Sequence, residues 1–163
     1  MMDSNALEPI VDRLQASYIA ALDGKDMKAW LALFSTEEDS SYTCTSAENL
    51  DAQLPVALML DDNYARIVDR VTFIEKVWAG TFQDYRTRHF IERLSIEPSG
   101  TDTYKVRTNF HIMFTPEEAG DSRPLVCGEY RDVVQVRDGV AKFRHKLAVT
   151  DTIVLPRYVV YPV

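Results

Sequence analysis

A single Asp138-Gly139 step, set between two long stretches of alternating residues, limits this chain more than any other feature. Leu125-Val126-Cys127-Gly128-Glu129-Tyr130-Arg131-Asp132-Val133-Val134 leads towards it, and Lys142-Phe143-Arg144-His145-Lys146-Leu147-Ala148-Val149 follows it. Asp-Gly between such runs predicts a tight hairpin, because both central residues of that turn need a positive φ. A period of two also marks Tyr104-Val106-Thr108-Phe110-Ile112-Phe114, with Lys105, Arg107, Asn109 and His111 between them. One face of that strand is packed and the other is wet. Ser99-Gly100-Thr101-Asp102 and Glu117-Glu118-Ala119-Gly120-Asp121 supply turns. From Tyr85 onwards the chain therefore reads as strands.

The first half reads as helices. Leu7, Ile10, Val11, Leu14, Tyr18, Ala21 and Leu22 recur every three or four residues and form one apolar stripe. Gly24 stops this helix and Asp26 caps a shorter one, which turns Trp30, Leu33 and Phe34 inwards with Met27 one turn earlier. Tyr42 to Thr45 reads as a strand and Asn49 to Pro55 as a loop. A longer helix is expected from Asp61-Asp62 to Val77, with Ile67, Val71, Ile74 and Trp78 on one face. Helices followed by an antiparallel meander predict an α+β fold of one domain over residues 1–163. Its N-terminal helices would pack on a strongly bent sheet, as in the cone shared by nuclear transport factor 2, ketosteroid isomerase and scytalone dehydratase. Such a fold assigns no function by itself.

Charge and composition exclude several classes of function. A formal net charge of -7 would not displace counterions from phosphates, so nucleic acid is not an expected partner. No apolar run approaches the ~20 residues of a membrane span. Met1-Met2-Asp3-Ser4-Asn5 carries neither a basic region nor an apolar one that would mark export, so a cytoplasmic location is expected. Cys44 and Cys127 are too few for a disulfide scaffold.

Cofactor chemistry is testable by counting. A Rieske cluster needs paired Cys and His motifs, and neither cysteine has a histidine nearby in sequence. A facial iron triad needs two histidines and a carboxylate, yet His89, His111 and His145 fall on different strands without ligand spacing. Neither a metal site nor a cofactor site is therefore expected. Cys127, beside Gly128, reads as a small core residue. Acid–base chemistry is the sharper alternative. Asp23 at the end of the first helix, with His89 and His111 on successive strands, would converge inside the mouth of a cone, and Thr87-Arg88-His89-Phe90 resembles the strand bearing a catalytic histidine in scytalone dehydratase. Against it, Asp23 suits a turn, His111 lies on the polar side of its strand, and His145 lies beside Phe143 and Leu147 on the packed side. Two arginine clusters, Arg66 with Arg70 and then Arg86, Arg88 and Arg93, read either as solvated faces or as subunit contacts. The apolar stretch Val154 to Val163 either packs on its own sheet or is covered by another subunit.

Taken in order, several segments resemble the small (β) subunits of aromatic-ring-hydroxylating dioxygenases, which are Rieske non-haem iron systems. They are Leu22-Asp23-Gly24-Lys25-Asp26-Met27-Lys28-Ala29-Trp30 with Phe34, Asp69-Arg70-Val71, Arg88-His89-Phe90, Gly128-Glu129-Tyr130-Arg131-Asp132 with Asp138-Gly139, and a Tyr161-Pro162-Val163 ending. Glu48-Asn49-Leu50, Leu54-Pro55 and Asp69-Arg70-Val71 look most like subunits of salicylate 5-hydroxylase and terephthalate dioxygenase systems. The resemblance implies a non-catalytic subunit with no cofactor and no catalytic residue of its own. It further implies a large (α) partner holding the Rieske [2Fe-2S] cluster and mononuclear Fe(II), and a trimer of small subunits within an α3β3 hexamer. The alternatives are a stand-alone dehydratase or isomerase using Asp23 and His89, and a small-molecule binding module.

Overall fold

Asp138 and Gly139 adopt φ values of 51° and 76°, the paired positive angles that a two-residue hairpin demands, and Arg137 lies opposite Val140. A computed structural model describes residues 4–118 and 120–163. Met1, Met2, Asp3 and Ala119, the last within the turn expected at 117–121, lie outside the described residues. Four long antiparallel strands follow one another: β3 (Tyr85–Pro98), β4 (Thr103–Pro116), β5 (Arg123–Arg137) and β6 (Val140–Thr150). Two shorter strands, β1 (Ser41–Ser46) and β2 (Met59–Asp61), complete a sheet ordered β2-β1-β6-β5-β4-β3. Strand β1 runs parallel to β6, and every other neighbour is antiparallel. The even residues Tyr104 to Phe114 of β4 are buried and Lys105, Arg107, Asn109 and His111 are exposed, as their alternation predicts.

Helix α1 (Ser4–Asp23) lays its stripe of Leu7, Val11, Leu14, Tyr18 and Leu22 against the bent sheet. Asp26 caps α2 (Met27–Leu31) by accepting from Ala29 N at 2.9 Å, so Met27 and Trp30 point inwards. Phe34 is buried beside Phe143, whereas Leu33 is only half-buried. Tyr18, Trp30, Tyr42, Tyr130 and Phe143 meet edge-on or tilted at 5.4–6.5 Å between ring centres, and Phe110 stacks on Tyr130 at 4.3 Å. The concave side of the sheet is thereby filled by rings rather than left open.

Four local expectations are corrected. Asn49 to Asp51 belong to a one-turn helix, α3 (Ala47–Asp51), because Ser46 caps it by accepting from Asn49 N. Asp61 ends β2, and the following helix α4 (Tyr64–Thr72) begins only after Asn63 caps it. At its end a π-helical turn, Phe73–Val77, adds a residue to the repeat, and Trp78 N donates to Phe73 O at 3.0 Å. The extra residue carries Trp78 off the buried face of Ile67, Val71 and Ile74 and leaves it exposed. Cys127 is exposed rather than buried, because Leu125 and Val126 are both buried where the β4–β5 register shifts and the alternation changes phase.

The stretch from Val154 to Val163 divides in two. Val160 and Val163 are buried on the protein's own sheet, and Val163 N donates to the Tyr42 hydroxyl at 2.8 Å while Tyr18 donates to Val163 O at 2.7 Å. Val154 and Tyr158 remain exposed.

Candidate functional site

Two polar centres interrupt the apolar interior. The first joins the end of α1 to the edge strand β3. Gly24 N and Asp26 N bond back to Ala20 O and Ala21 O, which closes the helix and aims Asp23 at β3. Asp23 Oδ1 lies 2.6 Å from His89 Nδ1 and accepts from the Thr87 hydroxyl at 2.9 Å, and Asp23 Oδ2 accepts from His89 N at 3.2 Å. Burial alone would push the Asp23 carboxyl up, but the His89 ring and backbone with Thr87 hold it below its ordinary value. Alternation along β3 buries Tyr85, Thr87 and His89 and exposes Arg86, Arg88 and Phe90. The sequence expectation that Asp23 and His89 converge is met; His111 does not join them, being exposed beside Phe90 on the opposite face.

Such a pair fixes which ring nitrogen carries the proton, and His89 Nε2 is buried without a hydrogen-bond partner. It also performs a mechanical task. Strand β3 is an edge, and Asp23 takes up one of its backbone N–H groups while binding helix to sheet. A cavity of about 470 Å³ lined by Lys25, Asp84, Tyr85 and Arg86 lies near in sequence but does not include Asp23 or His89 in its wall.

The second centre is deeper and was not foreseen. Lys146 Nζ donates to Asp132 Oδ2 at 3.0 Å, with both side chains fully buried. Gln15 Nε2 donates to the same oxygen at 3.0 Å. Three rings surround the ammonium, Tyr130 at 3.7 Å, Tyr18 at 4.1 Å and Phe143 at 4.5 Å from their centres. Burial pushes Asp132 up and Lys146 down, and each charge opposes the other's shift. Alternation of Phe143, His145 and Leu147 placed His145 inside. A bulge between Val133 and Val134 pairs Val133 with His145 but Val134 with Phe143, so Arg144 is the extra residue. One inserted residue exchanges the two faces, turning Lys146 inwards and leaving His145 half-buried, 3.0 Å from the Ser41 hydroxyl. One signal was present: Gly128, Tyr130, Asp132 and Val134 share a phase, and an inward carboxylate requires a buried cation.

Arg70 pairs with Asp61 (Nη2 to Oδ1, 3.0 Å) beneath Tyr42, and Arg93 clamps Asp12 and Glu8 of α1 at 2.6 and 3.0 Å. Burial pushes the Cys44 thiol up to about 12, which leaves it unreactive at neutral pH. Among the described residues no group of three or more His, Cys, Asp or Glu side chains is placed to hold a metal ion. The cysteines and histidines present do not fit a Rieske cluster or a facial triad in this chain.

The concave side of the sheet thus holds aromatic rings around the buried Asp132–Lys146 pair, with Asp23 and His89 joined where α1 meets β3. The model of the ring hydroxylating beta subunit family matches residues 19–157. The chain belongs to that family. Among curated proteins, the terephthalate 1,2-dioxygenase terminal oxygenase component subunit beta 2 of Comamonas sp is 24% identical over 147 residues, covering 90% of this chain and 92% of the relative. A crystal structure of the beta subunit assigned to an aromatic-ring-hydroxylating dioxygenase of Novosphingobium aromaticivorans matches with a TM-score of 0.81 at 25% identity, over 92% of each chain. A protein of the same organism assigned as scytalone dehydratase matches at 0.69 and 20% identity over 99% of this chain and 95% of that one, which shows the shared nuclear transport factor 2-like fold alone.

Proposed function

We propose that this chain is the non-catalytic small subunit of an oxygenase that hydroxylates an aromatic acid, acting as a single cone-fold domain. The family match over residues 19–157 carries the reading, and the terephthalate dioxygenase relative supports the substrate class. In this reading a large subunit holds the Rieske [2Fe-2S] cluster and the mononuclear Fe(II), and this subunit supplies packing surface within an α3β3 assembly in the cytoplasm. Among the described residues no helix is long and apolar enough to cross a membrane. Co-expression with a candidate large oxygenase subunit from the same source, followed by native mass spectrometry and iron analysis, tests this. Equal stoichiometry with all iron on the large subunit is expected; a chain that stays alone and iron-free overturns it.

One observation favours a second reading, a stand-alone dehydratase or isomerase with Asp23 and His89 as acid–base groups. It is the 2.6 Å contact of a nearly buried histidine whose Nε2 has no partner. Under the first reading His89→Ala leaves turnover per assembled oxygenase unchanged once its stability loss is allowed for. Loss of an isomerase or dehydratase activity measured on the isolated chain would favour the second.

A further inference from the structure

The chain leaves the sheet after Thr150, and Pro156 and Pro162 in the stretch that follows have no N–H to give to a ladder. Among the described residues none of 152–163 makes a backbone-to-backbone hydrogen bond. Phenol hydroxyls hold this backbone instead. Val160 N donates to the Tyr85 hydroxyl at 3.4 Å, Val163 N donates to the Tyr42 hydroxyl at 2.8 Å, and the Tyr18 hydroxyl donates to Val163 O at 2.7 Å. Tyr85 opens β3, Tyr42 lies on β1 and Tyr18 on α1, so residues 160–163 cross from one strand to the other over the helix. Val160, Pro162 and Val163 are buried, and Tyr161 lies edge-on to Phe82 and Tyr85 at 5.9 and 6.0 Å.

This strap meets both elements that carry the Asp23–His89 pair. Lys25, two residues after Asp23, reaches over the Tyr161 ring at 5.6 Å and pairs with Asp84. Tyr85 shares its inward row on β3 with Thr87 and His89, the partners of Asp23. The His89 side chain is 2% exposed, and its Nε2 is buried without a hydrogen-bond partner. An imidazole whose Nδ1 is engaged by a carboxylate leaves Nε2 as the nitrogen open to a proton or an electrophile. A segment tied by side chains outside any ladder opens at lower cost than the sheet it covers. Residues 151–154 and Pro156 are exposed, which gives that movement its slack.

We propose that residues 158–163 form a sealing strap, which closes the mouth of the cone over His89 and admits a ligand to the pair only when it lifts. Access to the pair, unlike its use, is independent of the small-subunit reading. The test is carbethoxylation of the whole chain by diethyl pyrocarbonate, followed histidine by histidine by mass spectrometry. Exposed His111 and half-buried His145 serve as internal standards. In wild type His111 reacts readily and His89 hardly at all. Val163→Asp drives the strap off its seat, and Val163→Ala loosens it without adding charge. His89 is expected to react roughly tenfold faster or more in Val163→Asp, and less markedly faster in Val163→Ala, as the open fraction rises. The rate at His111 stays the same, and the rate at His89 changes little in low urea, because local opening exposes little surface. Circular dichroism checks folding, and if Val163→Asp does not fold, Val163→Ala carries the same comparison. A His89 rate that stays at the wild-type level in the folded variants overturns the proposal, and so does a wild-type His89 as reactive as His111. Equal acceleration of all three histidines, or a steep rise at His89 with urea, marks general unfolding and overturns it as well.

Discussion

Lys146 is held by one carboxylate and three rings, with no water-exposed surface on its side chain. Removing one partner strands the other charge in a low-dielectric interior, so Lys146→Met alone is expected to cost about 3–5 kcal/mol in urea unfolding. Lys146→Met with Asp132→Leu should recover most of that loss, since an apolar pair of similar size is often neutral or better. A double variant as unstable as the single one would mean the pair contributes more than its charge. Asp23 behaves differently because it reaches the surface. Its folded carboxyl titrates below the unfolded value of about 3.9, so its contribution is present above that pH and is lost as pH falls through the folded value. The stability gap between wild type and Asp23→Asn should therefore hold from pH 7 to about 5 and close below about 4. A gap that is unchanged at pH 3 would count against the pairing. At this scale Asp23 with His89 was legible, since a helix-end acid and an inward strand histidine share the mouth of the cone. Lys146 was not, because its orientation depends on a residue inserted opposite another strand.

Elements were legible where one period ran without interruption. The β4 alternation and the α1 stripe placed their buried faces correctly, while three misplaced side chains fell at defects. The bulge opposite Val133 exchanged His145 and Lys146, the shift near Ile112 exposed Cys127, and the π-helical turn freed Trp78. The two sheet defects are set by pairing with another strand, and so leave no mark in local periodicity. Gly128 shows how tight the resulting sheet is. A Cβ there would run into Val149 O and lie 3.0 Å from the Phe110 ring. Gly128→Ala is accordingly expected to cost about 2–3 kcal/mol in thermal or urea melts, because a backbone carbonyl cannot move aside as a side chain would. A neutral result would show that β5 and β6 can separate locally at no cost.

For the whole molecule, Tyr42 and Tyr18 tie the segment after β6 into the aromatic core by bonds spanning 121 and 145 residues. Tyr42→Phe leaves Val163 N buried without its acceptor, at a cost of roughly 1–3 kcal/mol. Trypsin should then cleave faster after Arg157, which wild type holds over the Tyr85 ring at 4.1 Å. Equal cleavage rates would show that Val160 and Val163 anchor the segment through burial alone. The sequence by itself determined the class of fold, the hairpin at Asp138-Gly139 and the inward stripes, because turn chemistry and periodicity act between near neighbours; the family resemblance rests on the order of its matching segments. Only the tertiary structure decided that the cone is filled by rings around a buried Lys146–Asp132 pair, and that Val160 and Val163 close across it from β3 to β1. Both depend on register and on approach between distant strands, which are set by packing the whole sheet at once.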